Sequence, residues 1–232
     1  MEVSATPPQA ALTLVPTPVG NMDDITLRAL RILASVDFIL AEDTRTTSIL
    51  LKHHGIQTRM FAYHKFNEQR NLQLLTDRLE TGHTAALVSD AGTPCISDPG
   101  HLLVLECIRR GLRVECLPGP TAFVPALAIS GLPTDAFVFE GFLPHKKGRQ
   151  TRITLLSRET RTIILYESPH RLVKTLDQLS FSFGADRPAA VVRELSKWHE
   201  ETLRGTLCDL LSHFRTTPPK GEFVLILSGI PC

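Results

Sequence analysis

The stretch 87–100, LVSDAGTPCISDPG, has the residue types of a loop that holds a ligand. After an apolar start it places two Asp, two Ser, two Gly and two Pro within residues 89–100, more than a simple turn requires. Glycine lets the backbone approach a bound group, and carboxylates accept hydrogen bonds from hydroxyls or face cations. Proline stiffens the segment and reduces the entropy that it loses on ordering. The stretch therefore predicts a binding loop.

Similar loops follow most of the other predicted strands. Ligands of parallel α/β sheets bind outside the carboxyl ends of the strands, so this placement predicts a functional site and not a purely structural protein. The loops are PTPVGN (16–21), AEDTR (41–45) and PGPTA (118–122) in the first half, and EGFLPHKKG (140–148), YESPHR (166–171) and RELSKWHEE (193–201) in the second.

The absence of several common motifs narrows the classes of ligand that these loops could bind. The sequence has neither G-x-G-x-x-G nor G-x-x-x-x-G-K-[ST], the two common phosphate-binding loops, and neither G-x-S-x-G nor H-E-x-x-H. The remaining loops favour a cationic or zwitterionic ligand with hydroxyls and an adenine edge over a triphosphate. Two pairs of adjacent acids, Glu42–Asp43 and Glu200–Glu201, could hold magnesium. In the alternative interpretation, one acid of each pair is a buried anchor and the other is solvated. We predict no metal.

Composition indicates a soluble globular protein of the cytoplasm. Of 232 residues 43% are apolar and 21% charged, with a net charge of +1 and no membrane-spanning run. The five cysteines show no C-x-x-C spacing, which favours a reducing compartment over disulfides or zinc. Residues 1–10 lack the features of a secretory signal and are predicted to be a flexible leader. Residues 146–161 contain six Lys or Arg and one Glu, which fits either a solvated helix face or a nucleic-acid contact.

The elements that must position these loops alternate as strand and helix. In the first half, apolar runs predict strands near 12–16, 37–42, 59–63, 84–90 and 113–118, with helices between them. Such alternation is typical of a mostly parallel α/β sheet. Beyond the break at Pro118–Pro120, strands are predicted at 136–142, 162–168, 189–195 and 222–228, with helices at 149–158, 169–180 and 205–214. We predict two α/β domains, 11–118 and 119–232.

Seven blocks, in order and without large gaps from Leu12 to Ser228, resemble the small-subunit ribosomal RNA methyltransferases of the tetrapyrrole-methylase superfamily. The blocks are PTPVGNMDDITLRAL, AEDTRTTSILLKHHGI, SDAGTPCISDPG, LPGPTA, GFLPHKKGR, YESPHR and RELSKWHEE. The resemblance implies two α/β domains of tetrapyrrole-methylase type with S-adenosylmethionine in the cleft between them. It also implies a homodimer that methylates the ribose 2′-hydroxyl of a cytidine in the decoding region of 16S RNA, either free or in the 30S subunit.

The same resemblance implies which residues contact the cofactor. Asp90 or Thr121 could instead cap the helix that follows each of them, and Asp98 is at least equally suited to cap the helix from residue 100. The implied cofactor contacts are Pro16, Asp90, Ala91, Gly92, Thr121, Ala122 and Tyr166.

Four residues are candidates for the general base that a ribose hydroxyl needs. These are Glu42, Asp43, Glu167 and His170, and the sequence leaves the choice open. Asp43 with Arg45, and Glu167 with Arg171, could instead form ion pairs that brace loops.

Basic and aromatic residues are candidates for contacting RNA. With the resemblance, contact with the RNA backbone is favoured over a merely solvated face. The basic candidates are Arg45, Lys146, Lys147, Arg149, Arg152 and Arg171. Phe142, Trp198 and Tyr63 could stack on an extruded base, although packing is the ordinary role of such residues.

Two other functions remain open at this point. One is methylation of tetrapyrrole (precorrin-type) carbons, the chemistry of other members of the superfamily. The other is a non-catalytic ribosome-assembly factor that keeps the fold, which need not retain cofactor binding.

Overall fold

The structure is a computed structural model that describes residues 9–230. Most of the predicted leader and Cys232 lie outside the described residues. The chain divides into two compact units, Met1–Thr121 and Ala122–Cys232. None of the helices among the described residues has the length and apolar character needed to cross a membrane.

The first unit is built on five strands that are all parallel, which confirms the predicted α/β class. The sheet order is β3-β2-β4-β1-β5. The strands are β1 (Leu12–Leu14), β2 (Phe38–Ala41), β3 (Met60–Ala62), β4 (Ala85–Val88) and β5 (Val114–Cys116). The helices are α1 (Leu27–Ser35), α2 (Thr44–His53), α3 (Glu68–Glu80) and α4 (His101–Arg109), with a 3-10 turn at Met22–Asp24.

The apolar runs form a parallel sheet because both faces are covered. In β2, Ile39 and Ala41 pack into one core cluster, whereas Phe38 and Leu40 pack into the other. A strand buried on both faces has no polar alternation, which explains its continuous apolar sequence. Since all five strands run the same way, their carboxyl ends and the loops that follow meet at one edge.

The second unit contains a mixed sheet in the order β6-β7-β10-β8-β9. Strands β6 and β7 are parallel, and the other pairs are antiparallel. The strands are β6 (Phe137–Phe142), β7 (Thr162–Glu167), β8 (Pro188–Arg193), β9 (Glu201–Thr206) and β10 (Phe223–Leu227). The helices are α5 (Phe123–Ser130), α6 (Arg149–Leu156), α7 (Leu172–Phe183) and α8 (Leu207–Thr216).

Strand β9 is absent from the sequence prediction, which extended a helix back to residue 205. Its sequence ETLRGT is mostly polar because β9 is an edge strand without a buried residue, so it carries little apolar signal. The helix begins only after Thr206, whose hydroxyl accepts a hydrogen bond from the Asp209 N–H while the Asp209 carboxylate accepts one from the Thr206 N–H.

Candidate functional site

Three loops at the carboxyl edge of the first sheet are joined by hydrogen bonds. Thr17, after β1, pairs with Gly92, after β4, through two N–H to C=O bonds of 2.9 Å. The Thr17 hydroxyl donates to the Ser89 carbonyl at 3.0 Å, and the Thr93 hydroxyl donates to the Pro120 carbonyl, after β5, at 3.0 Å. The predicted binding loop is therefore a fixed surface and not a free connection.

Glycine is required at two positions of this surface for different reasons. Gly92 has a φ of +82°, and a Cβ there would have only ordinary contacts, 3.6 Å from Val19 Cγ1 at the closest. Its backbone conformation is thus what favours glycine. At Gly119 a Cβ would lie 2.8 Å from Pro16 Cβ, so the absence of a side chain lets the loop after β5 pack on the buried Pro16.

The loops after β2 and β4 hold each other through two acids. The Asp43 N–H donates to Asp90 Oδ1 at 3.1 Å, which joins the loop after β2 to the loop after β4. Burial raises the pKa of Glu42, and the negative charge of Asp90 raises that pKa further. Partial burial of its carboxylate likewise raises the pKa of Asp90, while the residue as a whole is exposed. This edge therefore carries carboxyls whose protons are held more tightly than usual.

Asp98 joins the same group of acids. Burial raises its pKa to about 6, and the charge of Glu42 contributes, while a hydrogen bond from the Ser89 side chain opposes the rise. No group of three or more His, Cys, Asp or Glu with the arrangement of a metal site occurs in residues 9–230. The chemistry of this edge is that of hydrogen-bond acceptors and proton holders.

A small pocket of about 100 Å³ opens between the loop after β1, α2 and the loop after β4. Its size is that of a chemical group and not of a whole nucleoside. The lining residues are Thr17, Pro18, Gly20, Met22, Thr46, Thr47, Leu50, Ser89 and Asp90.

Asp43 is committed to a local structural role. Its carboxylate caps α2 by accepting from the Arg45 N–H at 2.8 Å, and it pairs with the Arg45 guanidinium at 2.6 Å. The Arg45 side chain and then the Arg45 N–H lower the pKa of Asp43 to about 2. The ion pair that the sequence left open is thus present, and a carboxylate with this pKa is a poor proton acceptor.

The helix-capping alternatives are wrong. Helix α4 begins after Gly100, which has a φ of +131° and provides no side-chain cap, so neither Asp90 nor Asp98 caps it. Helix α5 begins after Ala122, again without a side-chain cap, so Thr121 does not cap it. Asp90 and Ala91 are exposed, and Thr121 and Ala122 are half-buried. The reason is local: the turns before both helices contribute backbone groups and no capping oxygen.

In the second unit, Glu167 is the centre of a buried network. Its Oε1 pairs with Arg171 at 2.7 Å, and its Oε2 accepts from the Thr175 hydroxyl at 2.6 Å. The Arg149 guanidinium lies 3.8 Å from Oε2. Glu167 is 2% exposed, so the bracing alternative fits its position. His170, three residues later, is exposed.

Arg149 is a correction to the predicted RNA-binding set. It is 6% exposed, and its guanidinium donates to the Gln178 side chain, the Pro144 carbonyl and the Thr175 hydroxyl. Because the guanidinium donors of Arg149 are buried and bound to these internal acceptors, the side chain cannot contact a phosphate backbone. Arg149 instead anchors the segment that precedes α6.

The other basic candidates differ in how far they are engaged. Arg152 pairs with Glu140, and Arg171 donates to the Leu143 carbonyl as well as to Glu167. Lys146 and Lys147 are exposed, and the ion pairs of the described part of the chain include neither. Among the basic candidates for RNA contact, these two lysines are the ones that the fold leaves most available.

The aromatic candidates separate by burial. Tyr63 is fully buried and packs in the core, so the prediction that it could stack on a base is wrong. Trp198 and Phe142 are exposed, at 95% and 52%. Tyr166 is half-buried and its ring packs against Phe139.

Sequence reasoning missed the residues that tie the loops together. Thr17, Ser89 and Thr93 lie inside quoted motifs but received no role, because a hydroxyl that donates to a distant carbonyl leaves no spacing signal in the chain. Glu140 was missed in the same way, as the partner of Arg152.

Comparisons with known proteins agree on a family. The model of the tetrapyrrole (corrin/porphyrin) methylases matches residues 11–211. A ribosomal RNA small subunit methyltransferase I of Synechocystis sp. is 50% identical over 219 residues, which are 94% of this chain and 78% of that protein. The protein of that name from Thermotoga maritima is 44% identical over 218 residues, with 94% of this chain and 98% of that protein covered.

A solved structure shows the same fold. The uroporphyrin-III C-methyltransferase from Thermus thermophilus, complexed with S-adenyl homocysteine, aligns with a TM-score of 0.63 at 20% identity. The alignment covers 93% of this chain and 96% of that one.

Proposed function

Since the chain belongs to the tetrapyrrole methylase family and to its ribosomal RNA small subunit methyltransferase I members, we propose that it transfers a methyl group from S-adenosylmethionine to small-subunit ribosomal RNA. The finer assignment is the ribose 2′-hydroxyl of a cytidine in the decoding region, which the seven sequence blocks support. The observation that carries the proposal is the 50% identity over 94% of the chain.

The loops at the carboxyl edge of the first sheet fit this cofactor. Its ammonium and sulfonium groups are cationic and its ribose hydroxyls are donors, and the exposed Asp90 supplies a carboxylate to such groups. Pro16, Ala91, Gly92, Thr121 and Ala122 offer backbone and small side chains on loops that hydrogen bonds already fix, so little entropy is lost on binding. The resemblance adds Tyr166 from the second unit.

The chain's own residues have two tasks in the reaction. When bound, S-adenosylmethionine supplies an electrophilic methyl group. The fixed loops must align the attacking hydroxyl with that group, which converts binding energy into rate. A basic group must also take the proton that the ribose hydroxyl loses, because a neutral hydroxyl is a weak nucleophile.

Glu42 is the candidate base that the local environment favours. Its pKa is raised by burial and by Asp90, towards the range in which a carboxylate accepts a proton usefully. Asp43 is held by Arg45 and Glu167 by Arg171, so each of these carboxylates already has a cationic partner. His170 is exposed and remains the second choice.

The RNA contacts that we propose are Lys146 and Lys147, with Arg45 and Arg152 as partial contributors through the donors that their ion pairs leave. Exposed lysines attract a phosphate backbone without reading its sequence. The homodimer implied by the resemblance stays a prediction, which sedimentation velocity of the purified protein measures.

The test uses the purified full-length protein, labelled S-adenosylmethionine and small ribosomal subunits from cells that lack this gene. After digestion to nucleosides, we expect label in 2′-O-methylcytidine from one position of the RNA. Label in another nucleoside would correct the finer assignment only. Cofactor binding without transfer would favour the tetrapyrrole substrate, and absence of both would favour an assembly factor.

A further inference from the structure

Strand β6 contains an extra residue that changes the direction of its last side chain. Phe139 pairs with Ile164, but the next pair is Gly141 with Leu165, so Glu140 is unpaired and forms a β-bulge. In a regular strand, residues 139 and 142 would point to opposite faces of the sheet. Because the bulge shifts the pairing by one residue, Phe142 pairs with Tyr166. Ile164 and Tyr166 are two residues apart in β7, so they lie on the same face of the sheet. Phe139 and Phe142 therefore share one face.

On that face the aromatic rings form a continuous row. The Phe123 and Phe139 rings are stacked with centroids 4.6 Å apart, and the Phe139 and Tyr166 rings meet edge to face at 5.1 Å. The Phe142 ring lies at the end of the row, 5.6 Å from Tyr166. Phe142 is 52% exposed, whereas Phe123, Phe139 and Tyr166 are half-buried. The row thus ends in an aromatic surface that solvent reaches.

Arg171 holds this terminal ring from a second direction. Its guanidinium carbon lies 5.9 Å from the centroid of Phe142. The guanidinium is itself fixed, because it pairs with the buried Glu167 at 2.7 Å and donates to the Leu143 carbonyl at 3.1 Å. A ring supported by Tyr166 and by a fixed cation has little freedom to lose when a ligand stacks on it.

The chain next to Phe142 is cationic. Lys146 and Lys147 are exposed and follow the ring within five residues. Arg149, directly behind them, anchors this segment by donating to the Pro144 carbonyl at 3.2 Å. An exposed aromatic ring beside exposed lysines complements a base and its phosphates. It does not complement the cofactor, whose ammonium and sulfonium groups the lysines would repel.

We infer that Phe142 is a stacking platform for an unpaired nucleobase of the RNA substrate, with Lys146 and Lys147 contacting the adjacent phosphates. Single-stranded RNA is held in this way elsewhere, by aromatic faces that stack bases and by cations that follow the backbone. This inference rests on the proposed function, because it gives a binding place to the RNA that the proposed reaction requires as substrate.

The test compares Phe142→Ala with Phe142→Trp, and uses Phe181→Ala as a matched control. Phe181 is another phenylalanine of the second unit and is 90% exposed, but it lies on α7. Affinity is measured for small ribosomal subunits and, separately, for S-adenosylmethionine. We expect Phe142→Ala to weaken subunit binding roughly ten- to a hundredfold, which is the value of one stacked base. Phe142→Trp and Phe181→Ala should bind like the wild type, and cofactor affinity should be unchanged in all three.

Two further readouts separate the outcomes. Phe142→Ala should leave the salt dependence of subunit binding unchanged, since a stacked base releases no counterions. Unchanged subunit affinity, or a loss of cofactor affinity instead, overturns the inference. If the wild type methylates the subunits while Phe142→Ala equals it in affinity, only the platform fails. If the wild type neither binds nor methylates them, the proposed function fails with it.

Discussion

Glu42 and Glu167 are identical side chains that their neighbours set to different roles. Glu167 is surrounded by Arg171, Thr175 and Arg149, which use its oxygens for bracing. Glu42 faces Asp90, so a proton on it relieves repulsion between two carboxylates. Glu42 directly follows β2 and Glu167 is the last residue of β7, so only their surroundings distinguish the base that we propose from a structural anchor.

Glu42→Gln should lower kcat for methyl transfer by at least about a hundredfold, the usual contribution of a general base. Cofactor affinity should remain near the wild-type value. In the wild type, the base works only when deprotonated, so kcat should fall as pH falls through the raised pKa of Glu42. That acid limb should be absent from the variant's pH–rate profile.

Asp43→Asn is the matched control for this prediction. It retains a side-chain oxygen that can cap α2, and Asp43 is not the proposed base, so kcat should change little. A large loss of kcat in Asp43→Asn, with Glu42→Gln active, would reverse the assignment of the base.

Arg149→Ala should lower the free energy of unfolding by about 3–5 kcal/mol, because it leaves the buried Glu167 with one cationic partner fewer. Lys147→Ala removes the same formal charge from an exposed position and should leave stability within about 0.5 kcal/mol of the wild type. Urea denaturation measures both. Loss of RNA affinity at unchanged stability in Arg149→Ala would show that the sequence-based role was correct.

Helix α4 has a glycine with a positive φ at each end. Gly100, directly before α4, has a φ of +131°, and a Cβ there would lie 2.6 Å from Leu87 Cδ2 and 2.7 Å from Cys95 Sγ. Gly111, in the turn that follows α4, has a φ of +70°, and a Cβ there would have no atom within 4 Å. The two ends of the same helix thus require glycine for different reasons.

Gly111→Ala should cost about 1–2 kcal/mol of stability, the price of a left-handed conformation for an L-residue. Gly100→Ala should lower the free energy of unfolding by about 1–3 kcal/mol more than Gly111→Ala does, since Leu87 of β4 and Cys95 must also move. Chemical denaturation of both variants gives the difference. Equal losses would mean that the loop after β4 yields without resistance and is not the fixed surface described above.

The molecule as a whole is nearly neutral, with a net charge of +1, so the RNA contact that we propose requires a local cluster of positive charge. The double change Lys146→Ala/Lys147→Ala should reduce the slope of log affinity against log salt by about 1.4 for single-stranded contacts, or about 0.7 per lost phosphate contact. Lys52→Ala/Lys174→Ala removes the same charge from exposed helical positions and should keep the wild-type slope. Equal slopes in both double variants would place the RNA contacts elsewhere.

Much of the architecture follows from local sequence. Strands such as β2 and β4 are continuous apolar runs because both of their faces are buried, and this pattern predicts a parallel sheet without knowledge of its neighbours. The loops with Asp, Gly and Pro follow these runs, so their meeting at the carboxyl edge of the sheet was also predictable. Family membership followed from the order of the seven blocks, which the comparisons confirm.

The roles of the charged residues were decided by tertiary contacts. Arg149 and Lys147 are two residues apart and indistinguishable by composition, yet one is buried against Gln178 and Thr175, about 30 residues away, and the other is exposed. The β-bulge at Glu140, which turns Phe142 to the face of Tyr166, leaves no periodic signal because it is a single break in a period of two. Periodicity reports which face a segment buries, whereas the partner that a charge or a ring meets depends on residues brought together only by folding.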